Sequence, residues 1–398
     1  MNQAMLAGMH EATRLTRAGQ LNEATAMIQR TLRGEAAADP VAQPEEHWAK
    51  APIEGSFRVV NDGGAEPSAK TERTERRPVY PFDTRDSLLQ GFELPSLRPQ
   101  RRRHAPTDLI PDGGRFIDGS YGNQAGTRSY KLYIPSSYRG QALPLVLMLH
   151  GCTQDPDDFA AGTRMNHLAE AQDCLVLYPA QSPGANLQKC WNWFRNGDQQ
   201  RDGGEPSLLA GMTREVITRY GLDQRRVYVA GLSSGGAMAA ILGATHPDLY
   251  AAVGIHSGLA AGAAGDLPSA FAAMRQGGAG FGPADYRVPT IVFHGDSDTT
   301  VHPRNGELVI AQATAGATTG GKPRVSKHRG QVPGGHAYTR AVYVDPDGGV
   351  FMEHWLIHGA GHAWAGGSDS GSYTDPKGPD ATCEMLRFFS QQVLAAAC

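Results

Sequence analysis

Apolar and polar positions divide this chain into three regimes. Over residues 3–33 the apolar spacing is helical. Leu6, Met9, Thr13 and Leu15 approximate one face, and Leu21, Ala24, Ile28 and Leu32 make another. Gly19 separates the two, so the pattern predicts a helical hairpin over residues 1–34. From 35 to 110 the period disappears. Stretches such as "AKTERTERRP" and "RPQRRRHAP" are rich in proline, charge and small residues, and this segment reads as a disordered linker. From 111 to 398 apolar runs return and stay.

Within that last regime "RSYKLYIP" (128–135) alternates, as a half-buried strand does. The runs "PLVLMLHG" (144–151), "CLVLYP" (174–179), "RVYVAG" (226–231), "YAAVGIHSG" (250–258), "TIVFHG" (290–295) and "FMEHWLIHG" (351–359) follow. Most are continuously apolar, the signature of strands covered on both faces. Helical patterns such as "SLLAGMTREVITRYG" (207–221) and "GAMAAILGATH" (236–246) separate several of them. Strand and helix in alternation predict an α/β fold, with a mostly parallel sheet flanked by helices. The first strands read as a hairpin, which makes the sheet mixed. A C-terminal helix capped by Asp380 is expected in "DATCEMLRFFSQQVLAAAC".

Composition narrows the function classes. A net charge of −3 gives no global basic field, so nucleic acid is not the expected partner. No apolar run approaches the ~18 residues that span a bilayer. The first thirty residues hold no apolar signal-peptide core, so a cytoplasmic location is the expectation. Five cysteines at wide spacing, with no C-x-x-C, offer no zinc pattern and leave one thiol outside any two disulfides.

In open α/β sheets the chemistry sits at the carboxyl ends of the strands. Those ends here read HG (150–151), YP (178–179), AGLSSGG (230–236), IHSG (255–258), HGDSD (294–298) and HGAGH (358–362). Gly231-Leu232-Ser233-Ser234-Gly235 fits G-x-S-x-G between a strand and a helix, the setting of a nucleophile held on a sharp turn. A serine needs a base, and the base needs a carboxylate to orient it. The chain order Ser, acid, His selects Ser233, Asp298 and His362. Asp296 and His358 compete. Asp298 is preferred because it lies further into its loop, and His362 because it follows a flexible Gly-Ala-Gly turn. The expected oxyanion donors are the N–H groups of Ser234 and, in "HGCTQ", of Cys152. His150 is expected to brace that loop.

The motifs "HGCTQ" (150–154), "CWNWF" (190–194), "GLSSGGAMA" (231–239), "HGDSDTTV" (294–301), "GGHAYTR" (334–340) and "GHAWAGG" (361–367) are collinear. Together they resemble the poly(3-hydroxybutyrate) depolymerase family of serine esterases, which includes acetylxylan and feruloyl esterases. The resemblance implies an α/β-hydrolase fold, cleavage of carboxylic esters such as polyester oligomers, no metal or organic cofactor, and a triad of Ser233, Asp298 and His362. Many members of that family are extracellular, against the cytoplasmic expectation above. Trp191, Trp193 and Trp364 lie in these motifs and are expected to line an acyl or aryl cleft, packing inside the loops being the alternative. Cys152 and Cys190 lie in them too, and a disulfide between the pair would pin the oxyanion loop to the Trp loop. The N-terminal stretch "LTRAGQLNEATAMIQRTL" faintly resembles one tetratricopeptide unit; one unit buries no core alone. It is expected to be an amphipathic appendage or, alternatively, a hairpin that docks a polymer granule or a protein partner.

Overall fold

The computed structural model describes residues 109–278, 288–317 and 323–395. The hairpin expected over 1–34 and all but the end of the linker expected over 35–110 lie outside the described residues.

Ten strands form one sheet: β1 (Arg115–Asn123), β2 (Gly126–Ile134), β3 (Leu145–Leu149), β4 (Leu175–Pro179), β5 (Val227–Leu232), β6 (Ala252–His256), β7 (Thr290–Gly295), β8 (Arg324–Gln331), β9 (Ala337–Val344) and β10 (Val350–Ile357). Their spatial order is β1-β2-β4-β3-β5-β6-β7-β10-β9-β8. The central six, β4 through β10, run parallel. Antiparallel pairs close both ends, β1–β2–β4 on one side and β10–β9–β8 on the other.

Strands β3 to β7 are buried at every position, because helices cover both faces. On one face, Leu147, Val229 and Val253 pack against α3 (Gly204–Tyr220), α4 (Ser234–Thr245) and α6 (Arg304–Ala317), through side chains such as Met212, Ile241 and Val309. Beside them lies α5 (Leu267–Gln276), which contributes Ala270 and Ala273. On the other face, Val146, Tyr228 and Phe293 pack against α1 (Pro156–Thr163), α2 (Met165–Ala171) and α7 (Ala381–Phe389), through Phe159, Met165 and Phe389. Continuous apolar runs are what such two-sided burial requires.

Two features depart from the sequence pattern. Strands β1, β8 and β9 carry no clean alternation; β8 is almost wholly exposed, and pairing along the backbone rather than a buried face makes it a strand. The C-terminal helix is shorter than its apolar spacing predicts. Asp380 caps it, accepting the Cys383 N–H at 2.9 Å, but it ends at Phe389. Beyond that point the chain finds other partners: the Leu394 N–H donates to the Arg225 carbonyl at 3.0 Å, and the Tyr228 hydroxyl donates to the Gln392 carbonyl at 2.9 Å.

Candidate active site

The turn from β5 into α4 carries Ser233 at φ 57°, ψ −118°. A non-glycine residue there is strained and persists only where its surroundings hold it. Two backbone bonds do so: the Ser233 N–H donates to the His256 carbonyl, and the Ala237 N–H donates to the Ser233 carbonyl, both at 2.9 Å. Space explains the flanking glycines. A Cβ on Gly231 would sit 2.3 Å from the Gly235 carbonyl carbon, and one on Gly235 would sit 2.1 Å from the Leu149 carbonyl oxygen. The bend therefore lies directly on the ends of β5 and β3, and the serine is left partly exposed above them.

Loops after β7 and β10 bring two acids and two histidines together, in parallel pairs. His362 Nδ1 lies 2.7 Å from Asp298 Oδ2. His358 Nδ1 lies 2.9 Å from Asp296 Oδ2, and its Nε2 lies 2.9 Å from Thr339 Oγ1. Both ring nitrogens of His358 are thus occupied, and it sits directly after its strand. The ring of His362 is held through Nδ1, and among the described residues its Nε2 makes no hydrogen bond. Asp298 is buried, and its Oδ1 accepts the N–H groups of Thr300 at 2.9 Å and Val301 at 2.8 Å. Burial by itself would raise this carboxyl. The imidazoles of His294, 3.5 Å away, and His362 outweigh burial and, with the Val301 N–H, hold it well below the usual carboxylate range. Among the described residues no hydrogen bond joins Ser233 Oγ to His362. Both stand at the same rim of the sheet, one after β5 and one after β10.

The third wall of the rim is the loop after β3. Cys152 is bonded to Cys190 (Sγ–Sγ 2.04 Å), and its sulfur lies 3.4 Å from Ser234 Oγ. The Thr153 N–H donates to the Gln188 carbonyl at 2.6 Å, a second tie between the same two loops. His150 is buried under them. Its Nε2 accepts the Gln181 N–H at 3.1 Å, so the proton sits on Nδ1 and is donated to the Gly151 carbonyl at 2.7 Å. Burial pushes this imidazole down to about 4, so it is neutral at ordinary pH.

A polar group that sequence reading missed supports the Trp loop. Glu205, at the start of α3, is buried and accepts from Asn192 N–H (2.7 Å), Asn192 Nδ2 (2.8 Å), Arg128 (3.3 Å) and Gln181. Burial, with Asp198 nearby, raises its carboxyl. Glu205 lies just ahead of the periodic run that marks the helix, which is why apolar spacing passes over it.

The tryptophans require a correction. Trp191, Trp193 and Trp364 are buried, at 0%, 5% and 1% exposure, and do not line an open cleft. Their indole N–H groups explain why in two cases. Trp191 Nε1 donates to the His150 carbonyl at 3.1 Å, and Trp364 Nε1 donates to Thr382 Oγ1 at 2.9 Å. Trp193 packs edge-on to Phe194. All three brace the loops from inside. Among the described residues no group of three or more His, Cys, Asp or Glu side chains is placed to hold a metal ion.

The parallel sheet covered on both faces, with a strained serine on the turn after β5, defines an α/β hydrolase. One solved structure of that class, an acetyl xylan esterase from Aspergillus awamori, aligns with a TM-score of 0.53 at 20% identity, over 70% of this chain and 99% of the other. Residues 128–320 match the family model described as esterase PHB depolymerase. Poly(3-hydroxyalkanoate) depolymerase C of Paucimonas lemoignei is 32% identical over 256 residues, which cover 61% of this chain and 60% of that protein. Feruloyl esterase B of Neurospora crassa is 27% identical over 259 residues, 60% of this chain and 84% of its own. A poly(3-hydroxybutyrate) depolymerase of Ralstonia pickettii is 30% identical, with 55% of its length matched. The chain therefore spans little more than half of the depolymerases it matches.

Proposed function

We propose that this protein is a serine esterase that hydrolyses carboxylic esters through an acyl-enzyme. The observation that carries the proposal is the Asp298–His362 pair, at 2.7 Å, on the rim that also presents Ser233 on its strained turn. In this reading His362 Nε2 takes the proton of Ser233 Oγ as the oxygen attacks the ester carbonyl. The same proton then passes to the leaving alcohol. Asp298, kept ionised by its two imidazoles and two N–H groups, fixes the ring and stabilises the imidazolium. The N–H groups of Cys152 and Ser234 receive the oxyanion, their side chains 3.4 Å apart. Water activated by His362 then releases the acid. The lack of a Ser233–His362 hydrogen bond is compatible with this reading, since such bonds are often long before the substrate is bound.

For the substrate we infer hydroxyalkanoate esters, of the polyhydroxybutyrate type, from the depolymerases among the relatives. A carbohydrate esterase is the second reading, favoured by the larger share of the feruloyl esterase that the chain covers. Rates on hydroxybutyrate oligomers, acetylxylan and methyl ferulate separate the two. Attachment to a granule or protein partner is assigned to residues 1–34. Deleting residues 1–110 tests it, the expected outcome being retained turnover with lost association. The chemical reading is tested by Ser233→Ala, which should abolish turnover of p-nitrophenyl butyrate; turnover that persists overturns it.

A further inference from the structure

We propose that His256 is a positioning residue that sets His362 in register with Ser233. The proposal rests on the esterase reading and concerns a side chain that never meets the substrate. His256 ends β6 and is completely buried. From one residue it contacts Ser233 and the loop that carries His362. Its carbonyl accepts the Ser233 N–H at 2.9 Å, holding the strained turn. Its Nε2 accepts the Ala365 N–H at 3.0 Å, holding the loop three residues past His362. A displacement of either loop is thus felt against the same fixed point.

The ring is set for this task. Nε2 accepts, so the proton lies on Nδ1, where Ser257 Oγ waits at 3.2 Å. Ser257 adopts φ 49°, a left-handed conformation rare for serine, and its N–H donates to the Phe293 carbonyl at 2.9 Å. Strain held by its surroundings marks positions where the backbone is fixed for a purpose. The imidazole stacks on Trp364 (centroids 5.2 Å, planes 26° apart) and on Phe293 (5.8 Å, 10°). Buried Trp364 is therefore part of the same device: it carries the His362 loop and stacks on the clamp. Burial, with His294 and His362 close by, keeps His256 neutral, pushed down to about 3, so its Nε2 stays an acceptor while His362 gains and loses its proton.

The test compares two substitutions that both remove the aromatic ring. In His256→Gln the amide oxygen extends to the place of Nε2 and can accept from Ala365; in His256→Asn it stops short. We expect His256→Asn to lose roughly 10²-fold in kcat, the scale of a misplacement of about 1 Å, with KM nearly unchanged. His256→Gln should recover at least tenfold of that loss, on the order expected for one restored buried hydrogen bond. Equal kcat for the two folded variants, or wild-type kcat in His256→Asn, overturns the proposal. Should neither fold, Ser257→Ala frees the ring at Nδ1; an unchanged kcat there overturns it equally. The esterase reading fails separately, if the wild type hydrolyses no ester. The downfield proton resonance of His362 Nδ1–H, which needs no turnover, then carries the comparison: sharp in wild type and His256→Gln, and broadened in His256→Asn if His256 is the clamp.

Discussion

Acidification from about pH 7.5 to about 5 should remove about 4 kcal/mol of stability through His150 and His256 alone. Both are essentially unexposed, at 1% and 0%. Burial depresses the first to about 4 and the second to about 3, against about 6.5 for a free imidazole. A folded-state value below the unfolded one gives a contribution that is complete above about 6.5 and drains away as pH falls toward the folded value. At about pH 5 the unfolded chain binds nearly two more protons at these sites than the folded one, or about 2 kcal/mol per histidine. Asp198 and Glu205, both raised by burial, pull the other way, so the sharpest reading is a difference between proteins. Urea unfolding of wild type and His256→Gln across this range is the assay. The variant has no group to titrate at this position and should lose about 2 kcal/mol less on acidification. Parallel stability curves for the two proteins would refute the reasoning.

Three further outcomes follow from the site. Asp298→Asn should lower kcat by about 10³–10⁴-fold, since the amide favours the wrong imidazole tautomer, whereas Asp296→Asn, in the neighbouring pair, should stay within about threefold on that scale; similar losses in both would break the assignment. Gly235→Ala places a methyl group 2.1 Å from a backbone oxygen of β3, so it should cost about 1–3 kcal/mol in thermal stability and lower kcat by moving the Cys152 loop, and wild-type melting with wild-type turnover would count against the close packing described. Cutting the Cys152–Cys190 bond, which closes a loop with a sequence separation of 38, should destabilise by up to about 4 kcal/mol, read as a lower urea midpoint in reductant; a midpoint that does not move would show that the loop is held by its hydrogen bonds alone.

The strands of the central sheet were legible because two-sided burial writes itself as unbroken apolar runs such as Leu145–Leu149 and Thr290–Gly295. Candidate site residues were legible where a strand end met glycine and a reactive side chain, as at Ser233 and at the HGDSD and HGAGH ends. Elements held mainly by pairing left no such trace: β8 buries almost nothing, and its register comes from β9. Tertiary partners were equally invisible. Nothing in "CWNWF" announces that Trp191 will donate to the His150 carbonyl, nor in "GEPS" that Glu205 will collect four donors from three separate segments. The histidine in "IHSG" stood in plain view at a strand end, but its meaning depended on the distant Ala365 N–H.

The sheet's far edge is lined with charge. Strand β8 is the last in the order, and almost all of it faces solvent, with Arg324, Lys327, His328 and Arg329 along its length. An outer strand of this kind is a template on which another strand could add, and natural proteins discourage that with charge. A second copy approaching this edge would bring a second row of these basic side chains close to the first, and like charges brought together oppose pairing. The ten-stranded sheet thus carries its own stop signal, and a chain stripped of those charges would be the one to watch for fibres.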